Sequence, residues 1–361
     1  MAGLSAIVLA AGEGTRMRSQ RPKPLHHLCG RPMVLHVIDA VSQLDVDRVV
    51  VVVGHEAEWV IKSLTDRSPE GLRIEFVEQP EQLGTGDAVS VGLAAFDAAD
   101  EDDDDILIVP GDAPLLRSEI LATIVRAHVG GDNALTVLTT ALADPTGYGR
   151  VIHGRDGAVA RIVEELDASD EERAETEANT SIFMVKRALL GPALRRLDRT
   201  NSQSEYYLTD VVSVLYNAGH VTRSVLTEDH AAVAGVNDRV QLASAEAELR
   251  RRINERWMQR GVTMWDPAST YVDADVELAE DVSLLPGTIV KGSCRIDAGA
   301  QIGPNALLID VIVGARAQLG TVHASGARIG ADAEVGSFSI LGPGSDVPSG
   351  ARVGPHSTFG L

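Results

Sequence analysis

The chain has 361 residues, of which 32 are Lys or Arg and 52 are Asp or Glu, so its formal net charge is −20. Hydrophobic residues make up 44% of the chain, enough for a sizeable core, and the length predicts two or three domains. This composition excludes an intrinsically disordered protein. The acidic balance argues against nucleic acid or an anionic membrane as partner, because both would need a positive face.

The first half of the chain alternates short apolar runs with amphipathic helical patterns. The apolar runs cover residues 4–9, 48–53, 74–77 and 106–109, and the helical patterns cover residues 32–44 and 88–96. Strands that alternate with helices predict an α/β, Rossmann-like domain with a mostly parallel sheet and helices on both faces. In such sheets ligands bind beyond the carboxyl ends of the strands, where glycine-bearing loops follow residues 9 and 109.

The second half begins with polar segments and ends in a repeat. Residues 166–178 are acidic and predict a surface helix or loop, and residues 240–257 have one apolar helical face, which predicts a connector. After Gly261, aliphatic residues recur every six positions in two series, first at Ile296, Ile302 and Leu308, and then at Ile329, Val335, Leu341, Val347 and Val353. A period of six predicts a parallel β-helix of hexapeptide repeats with roughly five coils, a class that coils left-handedly.

The two cysteines, Cys29 and Cys294, lie far apart and have no metal-ligand spacing. A disulfide framework is therefore excluded, and the chain fits a reducing cytoplasm. The longest apolar run near the start, residues 6–11, is too short to cross a bilayer and lacks preceding positive charges. We expect no membrane insertion and no targeting segment.

The first glycine loop, residues 9–17, predicts a phosphate site. It is neither a dinucleotide fingerprint nor a P-loop, but its backbone N–H groups can align on phosphate oxygens. Four cations follow within eight positions, namely Arg16, Arg18, Arg21 and Lys23. Guanidinium and ammonium groups beside backbone donors suit a polyphosphate, and the alternative is a solvated basic turn.

Two further polar features are predicted at the same edge of the sheet. Gln79 precedes a second glycine loop around Gly84, where glycine would let the backbone approach a base or a sugar closely. Asp112 follows a buried strand and Gly111, which is where a Mg²⁺ ligand would lie. The alternative for Asp112 is an N-cap of the helix that follows Pro114.

Nine segments, taken in chain order, resemble the sequence pattern of a known family. They cover residues 9–17, 22–23, 79–86, 111–112, 147–150, 162–164, 179–180, 205–210 and 236–237. In this order they closely resemble the uridyltransferase half of the bacterial bifunctional N-acetylglucosamine-1-phosphate uridyltransferase/glucosamine-1-phosphate acetyltransferase family. The resemblance implies a nucleotidyltransferase domain at residues 1–236, a connector helix at 237–261 and a left-handed β-helix at 262–361.

The resemblance also implies the reaction, in which UTP and N-acetylglucosamine 1-phosphate give UDP-N-acetylglucosamine and pyrophosphate with Mg²⁺ as cofactor. Arg16 and Lys23 would be catalytic, and Asp112 and Asn237 would bind the metal, with an N-cap of the connector helix as the alternative for Asn237. The nucleotide would contact Leu9, Ala10, Ala11, Gly12, Gln79, Gly84 and Thr85, and the amino sugar would contact Gly149, Glu164, Asn179 and also Thr85.

Three positions depart from the family pattern. Pro110 stands where a polar or aromatic residue is usual, Ser181 replaces a common glycine, and Asp87 stands where His is common. These residues surround the base and the sugar, so a pyrophosphorylase for another nucleotide and sugar phosphate stays open as an alternative. A non-catalytic β-helix scaffold with a decayed nucleotide domain is the other alternative, which the complete set of cations and metal ligands opposes.

The acetyltransferase half of the family continues for several coils beyond this chain, so the resemblance implies a shortened half without that site. The arginine of the family's Arg-Pro-Gly turn is Gly342 here, and no lysine follows Lys291. His356 is interpreted as a surface residue, so acetyltransferase activity is expected to be absent, with a fully bifunctional enzyme as the alternative. The family's β-helices pack around a threefold axis, which implies a homotrimer.

Overall fold

Nine strands, counted within the described residues, form one sheet in the first unit of the computed structural model, which comprises Met1–His26 and Pro32–Leu242. The strands of this sheet are β1 (Leu4–Ala10), β4 (Arg48–Val53), β5 (Ile74–Glu78), β6 (Asp105–Pro110), β7 (Leu135–Ala141), β8 (Arg150–His153), β9 (Val159–Val163), β10 (Glu177–Lys186) and β11 (Thr222–Thr227). The short β2 (His27–Leu28) and β3 (Arg31–Pro32) pair with each other in a separate two-stranded sheet. The main path is β11-β7-β10-β6-β1-β4-β5, and β8 joins β10 to β9.

The structure describes residues 3–65, 67, 69, 71–96 and 104–360, so the outermost positions of the predicted domains, 1–2 and 361, lie outside the described residues. The α-helices are α1 (Met33–Ser42), α2 (Ala57–Thr65), α3 (Thr85–Leu93), α4 (Ser118–Gly130), α5 (Asp170–Arg173), α6 (Arg187–Leu194), α7 (Asp210–Asn217), α8 (His230–Val233) and α9 (Arg239–Gln259). Two 3₁₀ helices span Thr15–Met17 and Lys23–Leu25.

The predicted α/β class is confirmed, and one strand of the main path breaks the parallel pattern. β10 runs antiparallel to both β6 and β7, while β1, β4, β5 and β6 pair in parallel. The segment expected as a surface helix or loop at 166–178 contains only the short α5, and its end already belongs to β10. The start of β10 therefore lies at the edge where its neighbours end.

Strict alternation along the central strands gives the sheet its two cores. Ala6 and Val8 of β1 pack with α1, α2 and α4 on one face, while Ile7 packs with α3, α6 and α7 on the other. In β4 successive valines divide between the same two faces, and all of them are buried. A continuous valine run is what a strand covered by helices on both faces requires.

The second unit comprises His27–Arg31 and Ala243–Leu361 and forms the predicted parallel β-helix. Its strands are β12 (Thr263–Met264), β13 (Tyr271–Val272), β14 (Glu277–Leu278), β15 (Ser283–Leu284), β16 (Ile289–Lys291), β17 (Arg295–Ile296), β18 (Gln301–Ile302), β19 (Leu307–Ile309), β20 (Ile312–Val313), β21 (Gln318–Leu319), β22 (His323–Ser325), β23 (Arg328–Ile329), β24 (Glu334–Val335), β25 (Ile340–Leu341), β26 (Asp346–Val347), β27 (Arg352–Val353) and β28 (Thr358–Phe359). Every third strand pairs in parallel, so three flat sheets form the coils.

The six-residue row is interrupted between Leu308 and Ile329 because several connections are one residue shorter. The inward positions there are Val313, Leu319 and Ala324, each buried in the same core as the rest of the row. The steps from Leu308 to Val313 and from Leu319 to Ala324 are five residues instead of six. A strict six-residue search therefore misses this coil although its core is continuous.

Cys29 and Cys294 are both buried and free, in agreement with the predicted absence of disulfides. Burial, followed by the Glu246 carboxylate, raises the pKa of the Cys29 thiol. Within the described part of the chain, no helix is both long and apolar enough to cross a membrane.

Candidate active site

A cavity of about 800 Å³ opens at the edge of the first sheet where β1, β5 and β6 end. The structure brings all the predicted site residues to its walls, namely Leu9, Ala10, Ala11, Gly12, Arg16, Lys23, Gln79, Gly84, Thr85, Asp112, Gly149, Glu164, Asn179 and Asn237. The strand order β10-β6-β1-β4-β5 arranges them in a row from Asn179 to Gln79. With about 4.8 Å between strands, the ends of the row lie about 19 Å apart.

The first glycine loop bends tightly after β1 because Gly14 adopts a left-handed conformation with φ 65°. A Cβ at Gly14 would lie 2.6 Å from the Cβ of Lys23, so glycine lets the basic segment approach the loop. Met17 is buried beneath it, and its carbonyl accepts a hydrogen bond from Arg239 Nε at 3.1 Å. The guanidinium of Arg16 forms no ion pair with any described residue and stays exposed beside the cavity.

Lys23 joins the two predicted metal ligands in one cluster. Its Nζ donates to Asp112 Oδ2 at 2.5 Å and to Asn237 Oδ1 at 2.8 Å. Asp112 is held in turn through its own carbonyl, which accepts a hydrogen bond from the backbone of Val236 at 2.8 Å. One carboxylate oxygen and one amide oxygen therefore converge on the Lys23 ammonium group.

Both N-cap alternatives prove wrong. Asp238 caps α9, because its Oδ1 accepts hydrogen bonds from the backbone of Val240 and Gln241, which leaves the Asn237 side chain directed at Lys23. Arg117 occupies the N-cap position of α4, so Asp112 does not cap that helix.

At the β5 end of the cavity, Gln79 is 3% exposed and its backbone N–H donates to Val53. Its Nε2 donates to Asp87 Oδ2 at 2.7 Å and to the Gly84 carbonyl at 3.3 Å. Gly84 has φ 115°, and a Cβ there would lie 2.5 Å from the carbonyl oxygen of Tyr206. Glycine thus allows the second loop to pack directly on another backbone segment.

At the β10 end, Gly149, Glu164 and Asn179 lie against one another. A Cβ on Gly149 would be 3.4 Å from Glu164 Oε2 and 3.6 Å from the Cβ of Asn179. The register of β10 against β7 shifts between Asn179 and Ile182, and Thr180 Oγ1 donates to the Leu138 carbonyl at 2.7 Å. This bulge re-aims the side chains of β10, which is how bulges commonly serve binding sites.

The loop that carries Gly149 is fixed by Arg150, which belongs to the segment 147–150 named above, and by Glu165, which the sequence analysis did not single out. Arg150 is 2% exposed, donates to the Tyr148 carbonyl, and forms an ion pair with Glu165 at 2.8 Å. The Glu165 carboxylate also accepts a hydrogen bond from the backbone of Gly147 at 3.2 Å. No local motif signals this link, since it depends on the pairing of β8 with β9.

Ser181, one of the departures from the family pattern, occupies a backbone position that favours glycine. Ser181 has φ 60°, and its backbone N–H donates to Asn179 Oδ1 at 3.0 Å. The left-handed region costs a non-glycine residue about 1–2 kcal/mol of strain. Glycine avoids this strain but loses more chain entropy on folding, which offsets about 0.5–1 kcal/mol of the gain. We therefore expect Ser181→Gly to raise the free energy of unfolding by up to about 1 kcal/mol in urea titrations, and Ser181→Ala to give no gain.

Comparisons with known proteins identify the family of this chain. A family model described as a MobA-like NTP transferase domain matches residues 6–199. The bifunctional protein GlmU of Streptomyces avermitilis is 43% identical over 353 residues, which cover 98% of this chain and 72% of that protein. The bifunctional protein GlmU of Kineococcus radiotolerans is 45% identical over 351 residues, 97% of this chain and 70% of that protein.

This chain belongs to the GlmU family. Together with the NTP transferase domain, membership makes the chain a nucleotidyltransferase. The crystal structure of UDP-glucose pyrophosphorylase complexed with UDP-glucose covers 70% of this GlmU-family chain and 100% of its own, with a TM-score of 0.56 and 13% identity. At that identity the likeness concerns the fold alone.

Two adjacent acids of this GlmU-family site have pKa values shifted in opposite directions. Burial raises the pKa of Glu164, although the Thr209 hydroxyl that donates to its Oε1 at 3.0 Å opposes the shift. The backbone N–H of Gly147 lowers the pKa of Glu165, helped by Arg150. Thr209 carries no motif of its own, so its contact with Glu164 was not predicted.

These shifts predict opposite effects on stability. Because folding raises the pKa of Glu164, its ionisation costs folding free energy, and this cost appears as the pH rises from about 4.5 through the folded-state value. Glu164→Gln should therefore raise the free energy of unfolding at pH 7, with the gain vanishing near pH 4. Glu165→Gln should lower it at pH 7, because a depressed pKa stabilises the fold above its ordinary range. Urea titrations at both pH values measure the two effects, and equal signs at pH 7 would contradict the assignment.

Proposed function

We propose that this chain is a uridylyltransferase that converts UTP and N-acetylglucosamine 1-phosphate to UDP-N-acetylglucosamine and pyrophosphate. The observation that carries the proposal is the order of groups along the sheet edge. A buried amide lies at β5, a glycine loop with the exposed Arg16 at β1, the cluster of Asp112 with Lys23 at β6, and a carboxylate with an amide at β10. Base, phosphates and sugar follow one another in the same order in a nucleotide sugar.

The proposed reaction needs charge neutralisation and no general base. A phosphate oxygen of the sugar 1-phosphate forms a bond to the α-phosphorus of UTP, and the bond from that phosphorus to the oxygen bridging to the β-phosphorus breaks. Pyrophosphate carries away the electron pair, and the nucleophile is already an anion. Arg16 and Lys23 therefore serve by holding two anions together and by stabilising charge at the α-phosphate.

The proposed metal site is the same cluster. Mg²⁺ is bound in phosphoryl-transfer sites by one or two carboxylates together with substrate phosphates, and Asp112 and Asn237 supply two hard oxygens that already converge on a cation. The described residues hold no group of three or more His, Cys, Asp or Glu side chains that would bind a metal alone. In the proposed site, the phosphate oxygens of the nucleotide would therefore supply the remaining metal ligands. When bound, Mg²⁺ would neutralise phosphate charge and polarise the α-phosphate.

The sugar assignment rests on Glu164 and Asn179, which would bind hydroxyl and acetamido groups. A site built to hydrogen-bond such groups rejects analogues that lack them, because its own polar groups are then left unpaired. The test is a panel of NTPs and sugar 1-phosphates scored for pyrophosphate release. UTP with N-acetylglucosamine 1-phosphate should clearly outpace UTP with glucose 1-phosphate, and a better alternative pair would overturn the substrate assignment.

Acetyl transfer is proposed to be absent from the coils of this chain. A Cβ at Gly342 would lie 1.9 Å from the Gly360 carbonyl oxygen, so the backbone leaves no room for an arginine there. His356 is exposed and stacks on Phe338 with ring centroids 5.2 Å apart. A base for the amine and cations for the phosphate are both required for this reaction. Acetyl-CoA consumption that depends on glucosamine 1-phosphate and disappears in His356→Ala would refute this proposal.

A homotrimer is proposed to assemble through one face of the β-helix. The outward residues of the β13 sheet include Tyr271, Ile289, Leu307 and Ile340, whereas the β12 sheet presents polar residues such as Gln318. Tyr271 and Ile340 are each 41% exposed. His323 interrupts this row between Leu307 and Ile340. A flat face with apolar residues on most of its coils suits a second copy of the chain, and cyclic symmetry closes such contacts.

Light scattering at micromolar concentration tests the trimer. The expected mass is three chains for the unmodified protein and for Gln318→Arg on the polar face, and a lower mass for Ile340→Arg. A mass of one chain that does not change on concentration would contradict the proposal.

A further inference from the structure

The orientation of the Gln79 amide is fixed by its neighbours. Its Nε2 lies 2.7 Å from Asp87 Oδ2 and 3.3 Å from the carbonyl oxygen of Gly84. An ionised carboxylate and a carbonyl accept hydrogen bonds and cannot donate them. The opposite orientation would place Oε1 against two acceptor oxygens, so the chemistry of the contacts alone decides which end of the amide is which.

Gln79 therefore has only an acceptor left for a ligand. Both Nε2 protons are directed at protein oxygens, and no described residue donates to Oε1. Gln79 is only 3% exposed to solvent, yet it lines the cavity. Oε1 faces a cavity and has no protein partner, so an occupant that carries a donor replaces the hydrogen bond to water, whereas an occupant without one loses it.

The occupant of this end must be neutral and must carry a donor. The Asp87 carboxylate would repel a phosphate, whereas Arg16 and Lys23 lie beside the β1 loop, two strands away. Uracil-type bases carry a ring N3–H donor where cytosine carries an acceptor nitrogen. Oε1 of Gln79 can accept from the first and is repelled by the second.

We propose that Asp87 sets the base specificity of this site by holding the Gln79 amide with its Oε1 toward the base, so that a ring N–H donor is selected. Asp87 lies in the first turn of α3 and acts through Gln79, so it is a positioning residue. The inference rests on the proposed function, in which the β5 end of the cavity receives the base. It also assigns a purpose to a residue that departs from the family pattern.

The test is equilibrium binding of UTP, CTP and N3-methyl-UTP, measured by titration calorimetry. Asp87→Asn has nearly the same shape, but its Nδ2 can donate to Gln79 Oε1 and so allows the amide to turn. Glu81→Gln, an exposed acid in the same loop, is the matched control. Wild type and control should bind UTP at least about 10-fold tighter than CTP or N3-methyl-UTP, because each probe leaves Oε1 without its donor.

In Asp87→Asn the ratio of UTP to CTP affinity should fall by about 10-fold, with UTP weakened and CTP strengthened. A merely structural role for Asp87 would weaken both nucleotides by the same factor, and that result would overturn the inference. Wild-type protein that binds CTP or N3-methyl-UTP as tightly as UTP would also overturn it, without any variant being needed.

Pyrophosphate release, measured in parallel, separates this inference from the proposed function. Release from UTP with an unchanged affinity ratio in Asp87→Asn would overturn the inference and leave the proposed function intact. No release from wild type, together with the expected change in the affinity ratio, would overturn the proposed function and support the role of Asp87.

Discussion

Asp112→Asn should lower the rate of pyrophosphate release by about 10²–10³-fold, the loss typical of one preorganised electrostatic contact at a reacting centre. The substitution keeps the shape of the side chain but removes the charge that pairs with Lys23 at 2.5 Å. It also leaves the proposed metal position with two neutral amide ligands among several phosphate charges. Steady-state kinetics at saturating Mg²⁺ measures the effect.

The chain offers a matched control for this variant. Asp132 pairs with Lys186 in the same unit, and its side chain is 90% exposed and absent from the walls of the cavity. Asp132→Asn should leave the rate unchanged, because exposed ion pairs contribute little even to stability. An Asp112→Asn protein that folds normally and keeps nearly full activity would remove Asp112 from the proposed machinery.

Gly84→Ala should abolish tight nucleotide binding and reduce the free energy of unfolding by about 3 kcal/mol. The added Cβ would meet Tyr206 O at 2.5 Å and Tyr206 N at 2.8 Å, and these atoms bond to Gly86 and Leu83. Relief of the clash breaks two hydrogen bonds worth about 1 kcal/mol each, and φ 115° adds strain of about 1–2 kcal/mol for alanine.

Urea titration and calorimetry with UTP measure the two consequences of Gly84→Ala. Gly130→Ala is the control, because a Cβ there meets nothing within 4 Å and the residue lies at the end of α4. We expect its stability and affinity to match wild type. A Gly84→Ala protein with unchanged UTP affinity would mean that this loop does not receive the nucleotide.

Most of the fold could be predicted from the sequence because its strongest signals are local. The valine run predicts the strand β4, and the glycine loops predict where β1 and β6 end. Because ligands bind beyond the carboxyl ends of parallel strands, these strand ends predict the edge of the sheet that carries the site. The row of aliphatic residues at six-residue spacing predicts the β-helix. The five-residue spacings within this row could not be predicted, because no particular residue type marks a connection that is one residue shorter.

The contacts within the site depend on tertiary structure, and single-sequence patterns do not encode them. Lys23 meets Asp112 and Asn237 across 89 and 214 residues, so no spacing rule predicts that one ammonium joins both oxygens. Thr209 reaches Glu164 across 45 residues. Asp238, and not Asn237, caps α9. Both residue types are good N-caps, so the sequence alone does not decide which of the two adjacent side chains forms the cap.

In the proposed function, one cavity joins a uridine nucleotide to an amino-sugar phosphate. Incubation of wild-type protein with Mg²⁺, UTP labelled at the α-phosphate and N-acetylglucosamine 1-phosphate tests it most directly. We expect the label to appear in UDP-N-acetylglucosamine in step with pyrophosphate release, and neither product to form when the sugar phosphate is omitted. Pyrophosphate or phosphate released from UTP without the sugar phosphate, with no label in a nucleotide sugar, would contradict the proposed reaction.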